Sequence, residues 1–199
     1  MNVGGIVLCG GASARMGRPK AWLPIGDEVL LQRVVRILHT VVDPIVVVAA
    51  PGQDVPPLPQ AVAITHDEIA GRGPLQGLAA GLATLEGKAD IAYLSACDAP
   101  LLRPEYVRRM VELLGEHAAC VPVVGGFAEP LAGVYRVSVL DAVQKLLAEE
   151  RRAVWGLLDA VATRRVRPAE LADVDPRLDS LRNVNTSEAY MQVLRELGG

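Results

Sequence analysis

Short β-branched runs alternate with longer amphipathic segments along this chain, an order that few folds accommodate. Val3–Leu8 is apolar without alternation, the pattern of a strand buried on both faces. Val29–Val42 then sets Leu30, Leu31, Val34, Val35, Ile37, Leu38 and Val41 along one helical stripe. A second strand is predicted at Ile45–Ala50, a Pro-rich loop at Pro51–Pro59 and a short third strand at Ala61–Thr65. Leu75–Leu85, rich in Ala, Leu and Gly, predicts a helix packed closely on a sheet, and Asp90–Ala96 a central strand. Pro104–Gly115 reads as a helix with proline in its first turn. Further strands are expected at Cys120–Val124 and Leu131–Arg136, and helices at Val139–Glu149 and Val154–Ala162. Arg167–Asp179, with Pro168 and Pro176, reads as loop, and Ser187–Leu197 as a last helix capped by Thr186 or Asn185. This alternation calls for an α/β fold, a mostly parallel sheet with helices on both faces. No repeat of solenoid length is visible. The 199 residues fit one domain, 1–199, with a modest C-terminal extension.

Charge narrows the ligands. Twenty basic side chains face 23 acidic ones, a formal net charge of −3. Only three of the twenty are lysines, at positions 20, 88 and 145. That balance disfavours a broad surface for a nucleic-acid backbone, and seven aromatic residues (Phe 1, Trp 2, Tyr 4) are few for a base-stacking platform. A small phosphorylated ligand stays open. The three cysteines, Cys9, Cys97 and Cys120, form no Cys-x-x-Cys pair, so they read as free thiols in a reducing compartment rather than a zinc knuckle. No basic segment precedes an apolar core at the N-terminus, and Ile45–Ala50 is far short of the ~20 residues of a membrane span. The expected location is cytoplasmic, with no membrane and no nucleic-acid partner.

The chemistry concentrates in loops that follow strands. The stretch from Leu8 to Lys20 carries Gly10 and Gly11, which let backbone N–H groups approach an anion, and Arg15, Arg18 and Lys20 add positive charge. It is either a triphosphate cradle or a basic surface turn. It is not a Walker A loop, since Gly17 is followed by Arg18 and Pro19, and the glycine spacing of the dinucleotide fold is absent. Asp98 follows the strand ending at Ala96, where one carboxylate can hold Mg²⁺ with substrate phosphates, or can close an Asx turn. His66-Asp67-Glu68 follows the third strand, where a carboxylate could accept from guanine N1 and N2 or simply face solvent. Asn183 and Asn185 could cap the last helix or reach the site. Cys9 and Cys97 read as small buried packing residues rather than nucleophiles.

Together these segments resemble a known family. Leu8-Cys9-Gly10-Gly11 with Arg15-Met16-Gly17 and Lys20 is similar to the signature loop of the nucleotidyltransferases, most closely the molybdenum cofactor guanylyltransferases. Gly73-Pro74-Leu75 with Gly77, Cys97-Asp98 with Pro100, Glu129 through Arg136, and Asn183-Val184-Asn185-Thr186 agree in order, as does Arg151-Arg152. The resemblance implies a Rossmann-like three-layer α/β/α domain that binds GTP with Mg²⁺. It implies transfer of GMP to the molybdenum-molybdopterin cofactor with release of pyrophosphate, alongside cofactor-biosynthesis or acceptor proteins as partners. Leu8, Cys9, Gly10, Gly11 and Asp67 would bind nucleotide, Arg15 and Lys20 its phosphates, and Asp98 the metal. Arg15, Lys20 and Asp98 would be catalytic, and Asn183 and Asn185, with Arg151 and Arg152, would face the pterin. The chain departs from the family at Cys9 (usually Ala), at Pro19 (usually Asp) and at Ala49-Ala50-Pro51, which lacks an asparagine often found there. Gly10-Gly11 favours the guanylyl over the cytidylyl enzymes, and a catalytically silent nucleotide-binding protein is a third reading.

Overall fold

The computed structural model describes residues 1–10, 19–67 and 73–198. Its main sheet contains β1 (Val3–Leu8), β2 (Ile45–Ala49), β3 (Ala63–His66), β4 (Ile91–Ala96), β5 (Ala119–Val124), β6 (Ala132–Arg136) and β7 (Thr163–Val166). Their lateral order is β7-β5-β6-β4-β1-β2-β3, and a two-residue strand, Phe127–Ala128, pairs with the end of β5. β1 lies parallel to both β2 and β4, and the β2/β3 and β5/β7 pairs are parallel. β6 runs antiparallel to its neighbours β4 and β5. The sheet is mostly parallel, as expected, with one reversed strand inserted.

The period of two along each central strand divides the core into two layers. Val7, Val47, Ile91 and Tyr93 pack against α1 (Leu30–Leu38) and α3 (Pro104–Leu114), through Leu31, Val34, Tyr106 and Met110. Ile6, Val46, Val48 and Leu94 pack the other way, against α2 (Pro74–Leu85), α4 (Leu140–Ala148) and α5 (Trp155–Ala160). The chain steps from β1 to β2 and β3 on one side, then α2 carries it back to β4 on the other. Right-handed crossovers put helices of opposite lateral steps on opposite faces, and α1 and α2 obey that rule. α2 can approach β1 closely because it carries glycine at the contact. A Cβ built on Gly81 would lie 2.6 Å from Ile6 Cγ2, and one on Gly77 2.9 Å from Leu8 Cδ2.

A third, smaller apolar cluster joins the C-terminal helix α6 (Ser187–Gly198) to the Pro24–Ile25/Glu28–Val29 hairpin through Leu23, Ile25, Leu30, Val184 and Val193. Among the described residues no helix is long and apolar enough to cross a membrane.

Several sequence expectations shift. The helix predicted over Val29–Val42 ends at Leu38, and Val41 and Val42 close turns by donating to Leu38 O. The third strand is Ala63–His66, so His66 belongs to the strand. β7 was not foreseen, because Thr163-Arg164-Arg165-Val166 is an edge strand whose arginines remain partly exposed and show no apolar run. The loop expected at Arg167–Asp179 contains a one-turn 3₁₀ helix at Pro168–Glu170.

Candidate functional site

In a parallel sheet the strand ends diverge where the lateral order reverses, and side chains after those ends line a crevice. β1 is flanked by β2 and β4, so the reversal falls at its carboxyl end. A cleft of about 590 Å³ opens there. Its wall is built from the residues that end or follow β1 (Leu8, Cys9, Gly10), β2 (Val48, Ala50), β3 (Asp67) and β4 (Ala96, Cys97, Asp98). Gly73, Pro74 and Gly77 of the α2 entrance, Leu131 before β6, and Lys20, Asn183 and Asn185 complete it. Gly73 has φ +77° and its missing Cβ would meet Arg152 O at 2.8 Å, so glycine is required where the Arg151-Arg152 segment crosses the α2 entrance.

The floor of the cleft is a charged cluster. Lys20, in the short 3₁₀ helix Lys20–Trp22, donates from Nζ to Asp98 Oδ2 at 2.5 Å and to Asn185 Oδ1 at 2.6 Å. The Asp98 side chain is only 8% exposed, the Lys20 side chain 22%. Asp98 O accepts from Val184 N at 2.8 Å, which ties the last loop to the end of β4. Val184 is fully buried in the third cluster, so the extended Asn183-Val184-Asn185 run anchors its centre inward while both asparagines line the cleft. The alternatives for Asn185 are thereby resolved. Thr186, not Asn185, caps α6, accepting from Ala189 N at 3.1 Å, while Asn185 accepts from the lysine.

Asp67 sits on the opposite wall. Burial pushes its carboxyl above the usual carboxylate range. Its Oδ1 is buried without a hydrogen-bond partner among the described residues, an atom that awaits a donor. Between the walls, the Cys9 and Cys97 thiols share a hydrogen bond that holds Cys9 below its ordinary value and Cys97 above it. Gln53 donates to Cys9 O at 3.0 Å and accepts from Ala50 N at 3.2 Å, clamping the ends of β1 and β2 together. Gln53 is not among the described residues that line the cleft, so it does not stand in for the asparagine absent from Ala49-Ala50-Pro51.

Of the residues expected from sequence, the structure brings Leu8, Cys9, Gly10, Lys20, Asp67, Asp98, Asn183 and Asn185 to this one cleft. Gly11 and Arg15 lie outside the described residues. Arg151 and Arg152 are exposed, and the backbone of Arg152 lies against the rim, where its carbonyl accepts from Leu75 N. Sequence reasoning missed Val48, Ala50 and Leu131 as lining residues and Gln53 as a clamp. The first residue past each parallel strand would have been the signal for Ala50, whereas Val48 lies within β2 and reads as one more residue of its apolar run. Leu131 lies in the segment 129–136 that carries part of the resemblance, where Tyr135 Oη donates to Pro130 O at 2.7 Å.

Residues 5–166 match the family model of the MobA-like NTP transferase domain. A protein of Mycolicibacterium paratuberculosis named a probable molybdenum cofactor guanylyltransferase is 41% identical, the match covering 98% of this chain and 96% of that one. A protein of the same name from Bacillus mycoides is 31% identical over 97% of this chain and 96% of its own. The crystal structure of molybdopterin-guanine dinucleotide biosynthesis protein A from Archaeoglobus fulgidus superposes with a TM-score of 0.79 at 20% identity, over 98% of both chains. The chain belongs to the family of nucleotidyltransferases that carry the MobA-like NTP transferase domain.

Proposed function

We propose that this nucleotidyltransferase moves GMP from GTP to the molybdenum-molybdopterin cofactor, forming the guanine dinucleotide cofactor and pyrophosphate. The observation that carries the proposal is the joining of Lys20, Asp98 and Asn185 at the floor of a cleft whose opposite wall holds Asp67. The names of the relatives at 41% and 31% identity support the same substrates.

The two walls suit the two ends of a guanine nucleotide. Asp67 offers an acceptor with no partner among the described residues, which fits the N1 and N2 donors of guanine. Lys20 offers an ammonium to the triphosphate, joined by Arg15 from the first loop. Asn183 and Asn185 face the side left for the pterin. Asp98 fits Mg²⁺ by its chemistry: a hard carboxylate, largely buried, on a cleft open to phosphate. Among the described residues no group of three or more His, Cys, Asp or Glu side chains could form an all-protein metal cage. Mg²⁺ commonly binds through one or two carboxylates with the rest supplied by phosphates and water. When bound, the ion neutralises phosphate charge as it accumulates.

The residues themselves hold and screen the reactants. The acceptor phosphate is already ionised at neutral pH, so no side chain needs to remove a proton from it. What must be overcome is repulsion between two anions, and the positive charges of Lys20 and Arg15 lower it. Loss of one such electrostatic group typically costs ~10²–10³ in rate.

Thermal unfolding with GTP, CTP or ATP, each with Mg²⁺, tests the reading. Selective stabilisation by GTP is expected. Selective stabilisation by CTP would favour a cytidylyltransferase, and no response to any of the three a protein that has lost nucleotide binding.

A further inference from the structure

Cys9 and Cys97 are 88 positions apart in sequence and neighbours in the sheet. Leu8 and Ala96 are the last paired residues of β1 and β4, in parallel register. The ladder continues one step further, since Cys97 N donates to Leu8 O at 3.0 Å. Cys9 and Cys97 are therefore the next cross-strand pair, and both belong to the same layer of the core, so their side chains leave the sheet on one face. Adjacent strands lie about 4.8 Å apart, inside the roughly 4.4–6.8 Å between Cα atoms that a disulfide spans. Both residues line the cleft. The third cysteine, Cys120, is fully buried in the core and does not line that cleft.

We infer that Cys9 and Cys97 form an oxidisable dithiol at the base of the cleft, which a hydroperoxide converts to a disulfide that disables nucleotide binding. The sulfur of one thiol attacks a peroxide oxygen, the O–O bond breaks, and hydrogen peroxide yields a sulfenic acid and one water. The second thiol attacks that sulfur, the S–S bond forms, and a second water leaves. Two thiols and one peroxide give one disulfide and two waters, so the two sulfurs are oxidised and the peroxide is reduced. Bonded sulfurs stand ~2 Å apart, closer than any S–H···S contact. Forming the bond turns both side chains from their present positions, which takes Cys9 Sγ away from Gln53 Nε2, 3.4 Å distant, and reshapes the cleft wall beside Gly10 and Asp98.

The consequence for binding rests on the nucleotide reading above, whereas the cross-link does not, and the experiment separates them. Full-length reduced protein is treated with hydrogen peroxide, alkylated, digested without reductant and analysed by mass spectrometry. Part of each sample is used for GTP binding with Mg²⁺ before oxidation, after it, and after dithiothreitol. A peptide pair joining Cys9 to Cys97 is expected, with Cys120 recovered alkylated, and GTP affinity should fall at least tenfold and return on reduction. Cys120→Ala should keep the cross-link, and Cys9→Ala should lose both the cross-link and the peroxide sensitivity, whatever its starting affinity. Recovery of Cys9 and Cys97 as separately alkylated or singly oxidised peptides would overturn the inference, as would cross-linked protein that binds GTP like the reduced form. Reduced wild-type protein that binds no GTP would instead refute the nucleotide reading and leave the dithiol judged by its cross-link.

Discussion

Replacing Lys20 by methionine keeps the apolar stem of the side chain and removes its ammonium. At the observed 2.5 Å, unit charges attract by about 6–7 kcal/mol at an effective dielectric of ~20. Most of that is offset by taking the two groups out of water, and breaking a fully buried pair costs ~3–5 kcal/mol. Here the Lys20 side chain is 22% exposed and the cleft admits water to the abandoned carboxylate, so the expected loss is about 1–3 kcal/mol. For a chain of this length that lowers Tm by roughly 2–12 °C. In an Asp98→Asn background no buried carboxylate is stranded, and Lys20→Met should cost about 1–2 kcal/mol less. Urea unfolding of wild type, the two single variants and the double variant, without ligand, measures the coupling, provided the m-value is unchanged. Additivity within ~0.5 kcal/mol would refute the claim that the ammonium and the carboxylate are held together in the free protein.

Asp67→Asn should separate stability from binding. The substitution removes a charge that burial disfavours, so the free protein gains up to ~1 kcal/mol, while loss of charge-assisted hydrogen bonds weakens GTP about 10–150-fold. Because the folded Asp67 carboxyl is raised, wild-type GTP affinity should decline, as pH falls, at a higher pH than an ordinary aspartate would give; calorimetry across pH checks both statements. Burial alone would raise Asp179, but hydrogen bonds from Arg177, Arg103 and Arg182 outweigh it and hold its carboxyl below the usual range. Its stabilisation is complete above the unfolded value near pH 4 and is lost as pH falls through the folded value. Asp179→Ala should cost about 2–4 kcal/mol and remove that part of the acid-induced loss, as followed by urea unfolding from pH 7 to 3. Gly81→Ala should destabilise by about 1–3 kcal/mol despite alanine's better helix propensity, because the new methyl would meet Ile6 Cγ2 at 2.6 Å; equal or higher stability in urea would contradict the close approach.

The strands and helices of the central layers were legible because burial on two faces leaves uninterrupted apolar runs, as in Val3–Leu8 and Ile45–Ala49. What was illegible was half-exposed or depended on distant pairing. β7 carries two adjacent arginines, one half-buried and one exposed, and the reversal of β6 depends on which neighbours it finds, not on its own residues. The same division applies to the site. Glycines and aspartates just past strand ends announced a ligand edge, so Gly10, Asp67 and Asp98 could be named in advance. The bonds that make the cluster join Lys20 to Asp98 and Asn185 across 78 and 165 positions, and no local pattern predicts them. The cysteines show the limit most clearly. Wide spacing suggested isolated packing residues, whereas parallel register makes Cys9 and Cys97 neighbours.

GMP transfer can be followed in a single reaction. Purified protein is combined with GTP, Mg²⁺ and molybdenum-molybdopterin cofactor, and the products are identified by mass while pyrophosphate is counted. A guanine dinucleotide cofactor and one pyrophosphate per transfer are expected, with turnover falling ~10²–10³ in Asp98→Ala and in Lys20→Ala. A cytosine dinucleotide formed in preference from CTP, no transfer by wild-type protein, or near-wild-type turnover by both variants would contradict that expectation.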